Sequence, residues 1–294
     1  MAILNGFGRS LGDSVVGVQA LAAALGLGAL PGKPVLFRLP GLSPIVQGLY
    51  AAAADLADIR TLPWDEATPE RPFPLAAGFA RVIDLRDFAF DPAFRGVAMI
   101  DFFLRHLGLD PAGVPRALRR NAWLAQRLPA PPLPGLPAGY VLVCPRTSMA
   151  LRDMPEAVYA TILDALAETG LPVLTQGEPR PGALAAPVAA DFAALCRLVA
   201  GARAVVSADT AMPHLADAYG VPCLAFFTTH RPEWRVRDYP LCRSVHLPAD
   251  LPPALEFARS PADAAAAEAA WFAHGTDADW LRRNIADLLA NPPT

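Results

Sequence analysis

Lysine is nearly absent: Lys33 is the one lysine among 25 basic residues, and the arginines form no long basic run. With a net charge of −3 the chain lacks the electrostatic footprint of a nucleic-acid binder, and no such partner is expected. Its four cysteines, Cys144, Cys196, Cys223 and Cys242, show neither CxxC nor Cys/His spacing, which excludes an ordinary zinc site. They read as free thiols of a cytosolic protein. No Asp-x-Asp follows a strand-like run, so nothing offers the usual seat for a divalent metal on a nucleotide diphosphate. Neither half opens with Gly-x-Gly-x-x-Gly and a later acidic ribose ligand, which argues against a dinucleotide oxidoreductase; Gly6-Phe-Gly8 is too little. Charge is missing from Ser14 to Gly32, yet Arg9 and Asp13 precede that run and no basic leader does. Its glycines and alanines suit a helix packed inside an α/β layer rather than a membrane span or signal peptide.

What is present is apolar and punctuated. At 294 residues and 53% hydrophobic content the chain is long enough for two domains and too apolar to be disordered. Residues 128–138, Leu-Pro-Ala-Pro-Pro-Leu-Pro-Gly-Leu-Pro-Ala, block regular structure and read as a stiff linker between domains over 1–130 and 139–294. Before it, strands are expected near 2–6, 34–39 and 81–86, with helices near 13–26, 43–54 and 95–107. After it, strands near 140–144, 171–175, 203–207 and 222–227 alternate with helices near 155–169, 190–200 and 213–219, and an alanine-rich tail over 262–291 looks helical. Such alternation implies parallel sheets covered by helices, with ligands at the carboxyl ends of the strands. Arg116, Arg119 and Arg120 are spaced to share one helix face, as a local anion patch or a solvated helix end.

The stretch from Val205 to Phe227 concentrates the chemistry. An apolar strand ends at Ser207; Asp209 and Thr210 can cap a helix, Pro213 suits its first turn, His214 follows, and Gly220 stops it. Free amides and the positive end of the helix dipole would favour a diphosphate above the turn. The same residues would also serve as a plain cap and a surface histidine, and both readings stay open. Arg152, near an expected helix start, carries a charge that the dipole disfavours unless an anion is close. Thr147 and Ser148 beside it are hydroxyl donors or ordinary turn residues. Thr228–Tyr239 is a polar, aromatic loop in which His230, Arg231 and Trp234 could meet a base or sugar ring. Asp13 sits where a strand gives way to a helix and reads first as a cap.

Three segments, in order, resemble glycosyltransferase family nine, the bacterial ADP-heptose:lipopolysaccharide heptosyltransferases and their relatives. They are Gly6 to Leu25 with its Gly12-Asp13 turn, Tyr140 to Pro155, and Asp209-Thr-Ala-Met-Pro-His-Leu-Ala216 followed by Gly220-Val-Pro. The resemblance implies α/β GT-B architecture: two Rossmann-like domains with parallel sheets facing a central cleft, the first for the acceptor and the second for the donor, with the tail packing back across both. It implies transfer of heptose or another sugar from a nucleotide diphosphate to a glycan, lipid-linked or protein hydroxyl, inverting and without a metal. It makes Asp13 the candidate base and Thr147, Ser148, Arg152, Asp209, Thr210, Ala211, Met212 and His214 the donor site. Gly12, His230, Arg231 and Trp234 are further cleft candidates. Asp209 would turn to sugar hydroxyls or backbone, while Arg152 and the turn amides stand in for a cation. A cytoplasmic place, at the inner-membrane face in lipopolysaccharide synthesis, follows from the same resemblance. This chain departs from the family at Ala211 (usually glycine), Arg152 (usually lysine) and Phe226–His230 (usually Phe-Gly-Pro-Thr). A degenerate relative serving as a scaffold or binding subunit is the alternative.

Overall fold

In the computed structural model, which describes residues 1–67, 73–252, 255, 257–273 and 277–290, each half of the chain winds its own parallel sheet. Contacts divide it into Met1–Pro129 with Ala190–Ala193, and Ala130–Ala189 with residues from 194 onward.

The first unit runs β1 (Ala2–Asn5), α1 (Leu11–Gly26), β2 (Val35–Arg38), α2 (Pro44–Ala52), β3 (Asp58–Thr61), β4 (Val82–Asp84), α3 (Met99–His106) and α4 (Ala122–Arg127). Its strands lie in the order β3-β2-β1-β4, all parallel. β1 is buried at every position, as a strand covered on both faces must be. The uncharged run from Ser14 is α1, buried from Ser14 to Leu21 against α2 and α3. No helix among the described residues is long and apolar enough to cross a membrane. Gly17 is where α1 meets the β1 turn: a Cβ there would lie 2.0 Å from the Phe7 ring. Phe7 in turn packs edge-on against Phe103, which continues into Phe88, Phe94 and Phe102. Lys33, exposed, donates from Nζ to the Ala54 carbonyl.

The second unit runs β5 (Val141–Cys144), α5 (Glu156–Ala167), β6 (Val173–Thr175), β7 (Ala183–Ala185), α6 (Phe192–Ala200), β8 (Ala204–Ala208), α7 (Met212–Tyr219), β9 (Cys223–Phe227), α8 (Pro232–Arg235), β10 (Cys242–His246), α9 (Pro261–Ala273) and α10 (Ala278–Ala290). The parallel order is β10-β9-β8-β5-β6-β7. The alanine-rich tail is helical where described; residues 274–276 and 291 lie outside the described residues. α9 and α10 cover this unit, with Trp271 against Phe226 (ring centroids 5.2 Å apart) and Leu281, Ile285 and Leu288 in the core with Ile162 and Leu166. Of Arg116, Arg119 and Arg120, only the first two share a helix face. Residues Arg116–Arg119 form a short 3-10 turn after Pro115, and Arg120 is already extended. Each sheet reverses its winding at one place, between β1 and β4 in the first and between β5 and β8 in the second. A crevice opens at such a reversal, beyond the carboxyl ends of the strands.

Candidate functional site

Beyond β5 the chain turns through Arg146 to Ser148 into a 3-10 turn at Ala150–Arg152, and α5 starts after Pro155. Thr147 is spent on this turn. Its amide donates to Asp153 Oδ1 (2.7 Å), and its hydroxyl donates to the Met149 carbonyl (2.5 Å) and accepts from the Met149 amide (2.9 Å). Ser148 is exposed and lines a cavity of about 410 Å³ with Met149, Leu151, Met154, Ala264 and Ala267. Arg152 turns the other way, toward the end of β8.

The β8 turn uses its polar residues differently from a simple cap. Ala211 is the N-cap of α7 and makes no side-chain capping bond. The Thr210 hydroxyl accepts from the Met212 amide (3.0 Å) and lies 2.9 Å from Ser207 Oγ. With Met212's N–H taken and none on Pro213, the first turn has fewer amides to offer a ligand than a free helix start. Asp209 neither caps the helix nor faces open space. It is buried, and its Oδ2 lies 2.8 Å from His230 Nδ1 and 3.3 Å from Arg152 Nη1. Its Oδ2 thus meets two side chains, where the sequence pointed to sugar hydroxyls or backbone. A buried carboxylate needs compensating partners, and Arg152 and His230 supply them.

Protonation follows from this packing. Burial would raise the Asp209 pKa, but the hydrogen bond from His230 and the charges of Arg152 and Arg235 outweigh it and hold the carboxyl below its usual range. Burial and then Arg235 push His230 down, against the pull of Asp209. At neutral pH this gives an ionised Asp209 accepting from the Nδ1–H of a neutral His230, since a carboxylate can only accept. His214 is also buried, and its pKa is pushed down to about 4, chiefly by burial. Its Nδ1 sits 2.7 Å from the Tyr239 hydroxyl, with the two rings edge-on.

The 228–239 loop is less open than its composition suggests. Thr228, Thr229 and His230 are buried, and Thr228 Oγ1 donates to the Leu151 carbonyl (3.1 Å). Arg231 is exposed and Trp234 half-buried, with the Arg231 guanidinium carbon 5.9 Å from the centre of the Trp234 ring. The structure therefore gathers Arg152, Asp209 and His230, with His214 close enough to sense the Asp209 charge. Ser148, Arg231 and Trp234 lie outside that hydrogen-bonded group. Tyr239 and Thr228 were not among the sequence candidates; neither belongs to a motif, and only the folded contact reveals them.

Ala211 has φ −72°, in the right-handed region that any residue adopts. Its methyl group therefore causes no backbone strain. Ala211→Gly is expected to cost roughly 0.5–1 kcal/mol of stability, seen as a lower Tm, while phosphate affinity by calorimetry stays equal or rises.

In the first unit the β1/β4 reversal carries Asp13. The turn after β1 is left-handed at Asn5 (φ 74°), Gly6 (φ 57°) and Gly8 (φ 96°), and a Cβ on Gly8 would lie 2.9 Å from the Phe88 ring. Ser10, not Asp13, caps α1: its hydroxyl accepts from the Asp13 amide (3.1 Å). Asp13 occupies the first turn, one residue past Gly12, and is half-buried. Tyr50 stiffens the turn by accepting from the Phe7 amide (3.0 Å) and donating to Ser14 Oγ (3.2 Å).

Residues 112–245 match the model of glycosyltransferase family 9 (heptosyltransferase). No curated protein is a sequence match. Among solved structures, the E. coli heptosyltransferase WaaC, determined with ADP-2-deoxy-2-fluoro heptose, is similar over 98% of this chain and 99% of its own at 17% identity (TM-score 0.56). E. coli ADP-heptose lps heptosyltransferase II is similar over 98% of both chains at 13% identity (TM-score 0.58). The iron-containing dodecameric glycosyltransferase TibC of enterotoxigenic E. coli H10407 is similar over 100% of this chain and 78% of its own at 16% identity (TM-score 0.60). At these identities the likeness is one of fold, two α/β units of GT-B type. Among the described residues no three His, Cys, Asp or Glu side chains gather where an ion such as TibC's iron could be held.

Proposed function

We propose that the chain is a heptosyltransferase-like glycosyltransferase of family 9, whose model matches residues 112–245, and that it moves a sugar from a nucleotide diphosphate to a hydroxyl acceptor, with inversion and without a divalent metal. The observation that carries this reading is Arg152 at the β5/β8 reversal. Its side chain is 15% exposed, one Nη is given to Asp209, and Nε is buried without a hydrogen-bond partner among the described residues. A buried donor left unmatched costs about 1–3 kcal/mol, and a phosphate oxygen is the acceptor that a guanidinium fork fits best. Arg152 thus supplies charge against the leaving diphosphate, with the start of α7 beside it. WaaC was solved with an ADP-sugar, which makes ADP the first nucleotide to try; heptose is one candidate sugar among others.

Asp13 takes the proton from the acceptor hydroxyl as its oxygen attacks the anomeric carbon; the C–O bond to the nucleotide breaks and the diphosphate leaves with the electron pair. The acceptor is a glycan, a lipid-linked sugar or a protein hydroxyl, met in the cytoplasm or against the inner membrane during lipopolysaccharide assembly. A non-catalytic binding subunit is the second reading, favoured by one feature: Asp209 and the Thr147 hydroxyl are satisfied within the protein itself. Turnover of a bound donor separates the two.

A thermal-shift series with ADP, GDP and UDP is the test, since a ligand that binds only the folded state raises its stability. Binding is expected to survive EDTA, and Arg152→Ala to weaken it by roughly 1.5–3 kcal/mol, about ten- to 150-fold in Kd by calorimetry. Binding that vanishes with EDTA and returns with a divalent ion would overturn the metal-free part.

A further inference from the structure

We infer that His230 is a positioning residue for Arg152: it holds the Asp209 carboxylate that pins the guanidinium, and so sets the affinity for the nucleotide diphosphate. The inference rests on the donor reading above. Arg152 ends a three-residue 3-10 turn, and a long side chain of this kind loses up to ~2 kcal/mol of rotamer entropy when held. Something must impose the order, and the 228–230 segment touches the arginine's surroundings at two points. Thr228 Oγ1 donates to the carbonyl of Leu151, the residue before it, fixing the backbone. His230 Nδ1–H donates to Asp209 Oδ2 (2.8 Å), the same oxygen that Arg152 Nη1 reaches at 3.3 Å.

The shared oxygen gives the arrangement its direction. Asp209 alone could swing its carboxylate toward other donors nearby, for Arg235 and His214 both feel its charge. The histidine bond is the shorter of the two and is made by a ring buried to 2% exposure, so it is the ring that fixes where the oxygen lies. The arginine follows the oxygen. Among the described residues one of its five N–H groups is used, and Nε meets no protein acceptor. His230 therefore acts without touching the nucleotide.

The test is a double-mutant cycle read by calorimetry, with whichever of ADP, GDP or UDP shifts melting most. His230→Ala is expected to weaken binding roughly tenfold, as loss of a charge-assisted hydrogen bond does. His230→Asn, whose amide N–H can take the place of Nδ1–H, should stay within about threefold of the parent. In an Arg152→Ala background, His230→Ala should change Kd by less than about twofold, because the residue it acts through is gone. Should His230→Ala melt too low to assay, His230→Gln takes its place, since it keeps the volume but carries its amide past Asp209. A His230 effect that persists in full without Arg152, or an Asn variant as weak as Ala, overturns the positioning role and leaves the donor site standing. If Arg152→Ala alone has no effect, or no nucleotide binds, the donor reading falls and this inference with it.

Discussion

Asp13→Asn is expected to abolish most turnover while leaving the protein folded and its nucleotide affinity unchanged. General-base catalysis contributes roughly 10²–10⁴-fold, and an amide cannot accept the acceptor's proton. The fold survives because Ser10 supplies the cap of α1 and uses the Asp13 backbone N–H, which asparagine also has. What Asn gives up is a favourable charge in the first turn, worth about 0.3–1 kcal/mol. Asp13→Ala loses the same charge, whereas Ser10→Ala should cost about 0.5–2 kcal/mol with turnover kept. Steady-state rates with donor and acceptor, set beside Tm for the three variants, decide the matter. A properly folded Asn variant with full activity would remove Asp13 from the mechanism.

Acidification should begin to destabilise the protein above the range where carboxylates ordinarily titrate. His214 is neutral in the folded protein with its pKa near 4, against an ordinary value of 6.5. The unfolded chain therefore binds a proton that the folded one refuses, and stability falls as pH drops from 6.5 toward 4. The full loss at the bottom of that window is about 3 kcal/mol for His214. His230, also pushed down by burial, adds in the same direction. Asp209 works lower: its depressed pKa contributes stability present above the normal carboxylate range and lost as pH falls further. Urea midpoints from pH 7 to 4 should therefore decline for the parent and flatten for His214→Gln, which cannot titrate. Equal slopes in the two would show that another group carries the acid sensitivity.

The sequence reveals elements where burial dictates composition and hides them where it does not. Runs such as Val141–Cys144 and Cys223–Phe227 are buried on both faces and stand out as apolar. The edge strands β3, β7 and β10 were not foreseen: Asp58-Ile-Arg-Thr, Ala183-Leu-Ala and Cys242-Arg-Ser-Val-His carry exposed or polar residues because an edge has little core to face. At the site, the strand-turn-helix framing Asp209 was legible from its strand run, Pro213 and Gly220. The direction of its carboxylate was not, since Arg152 lies 57 positions earlier and His230 21 later. Local capping preference was overridden by those two partners. The cap of α1 was misplaced at Asp13 because Ser10, three residues upstream, offers a hydroxyl that competes for the same helix start.

Lys33 is the single side-chain amine of the chain, it is exposed, and it stands in the first unit at the approach to β2. An amine-directed fluorophore would therefore react in that unit alone, at Lys33 and at the α-amine of Met1, while Arg152 and its neighbours, having no primary amine, escape the chemistry. Emission from such a label while nucleotide is added to the second unit offers a direct optical measure of whether one half of the molecule senses what the other has bound.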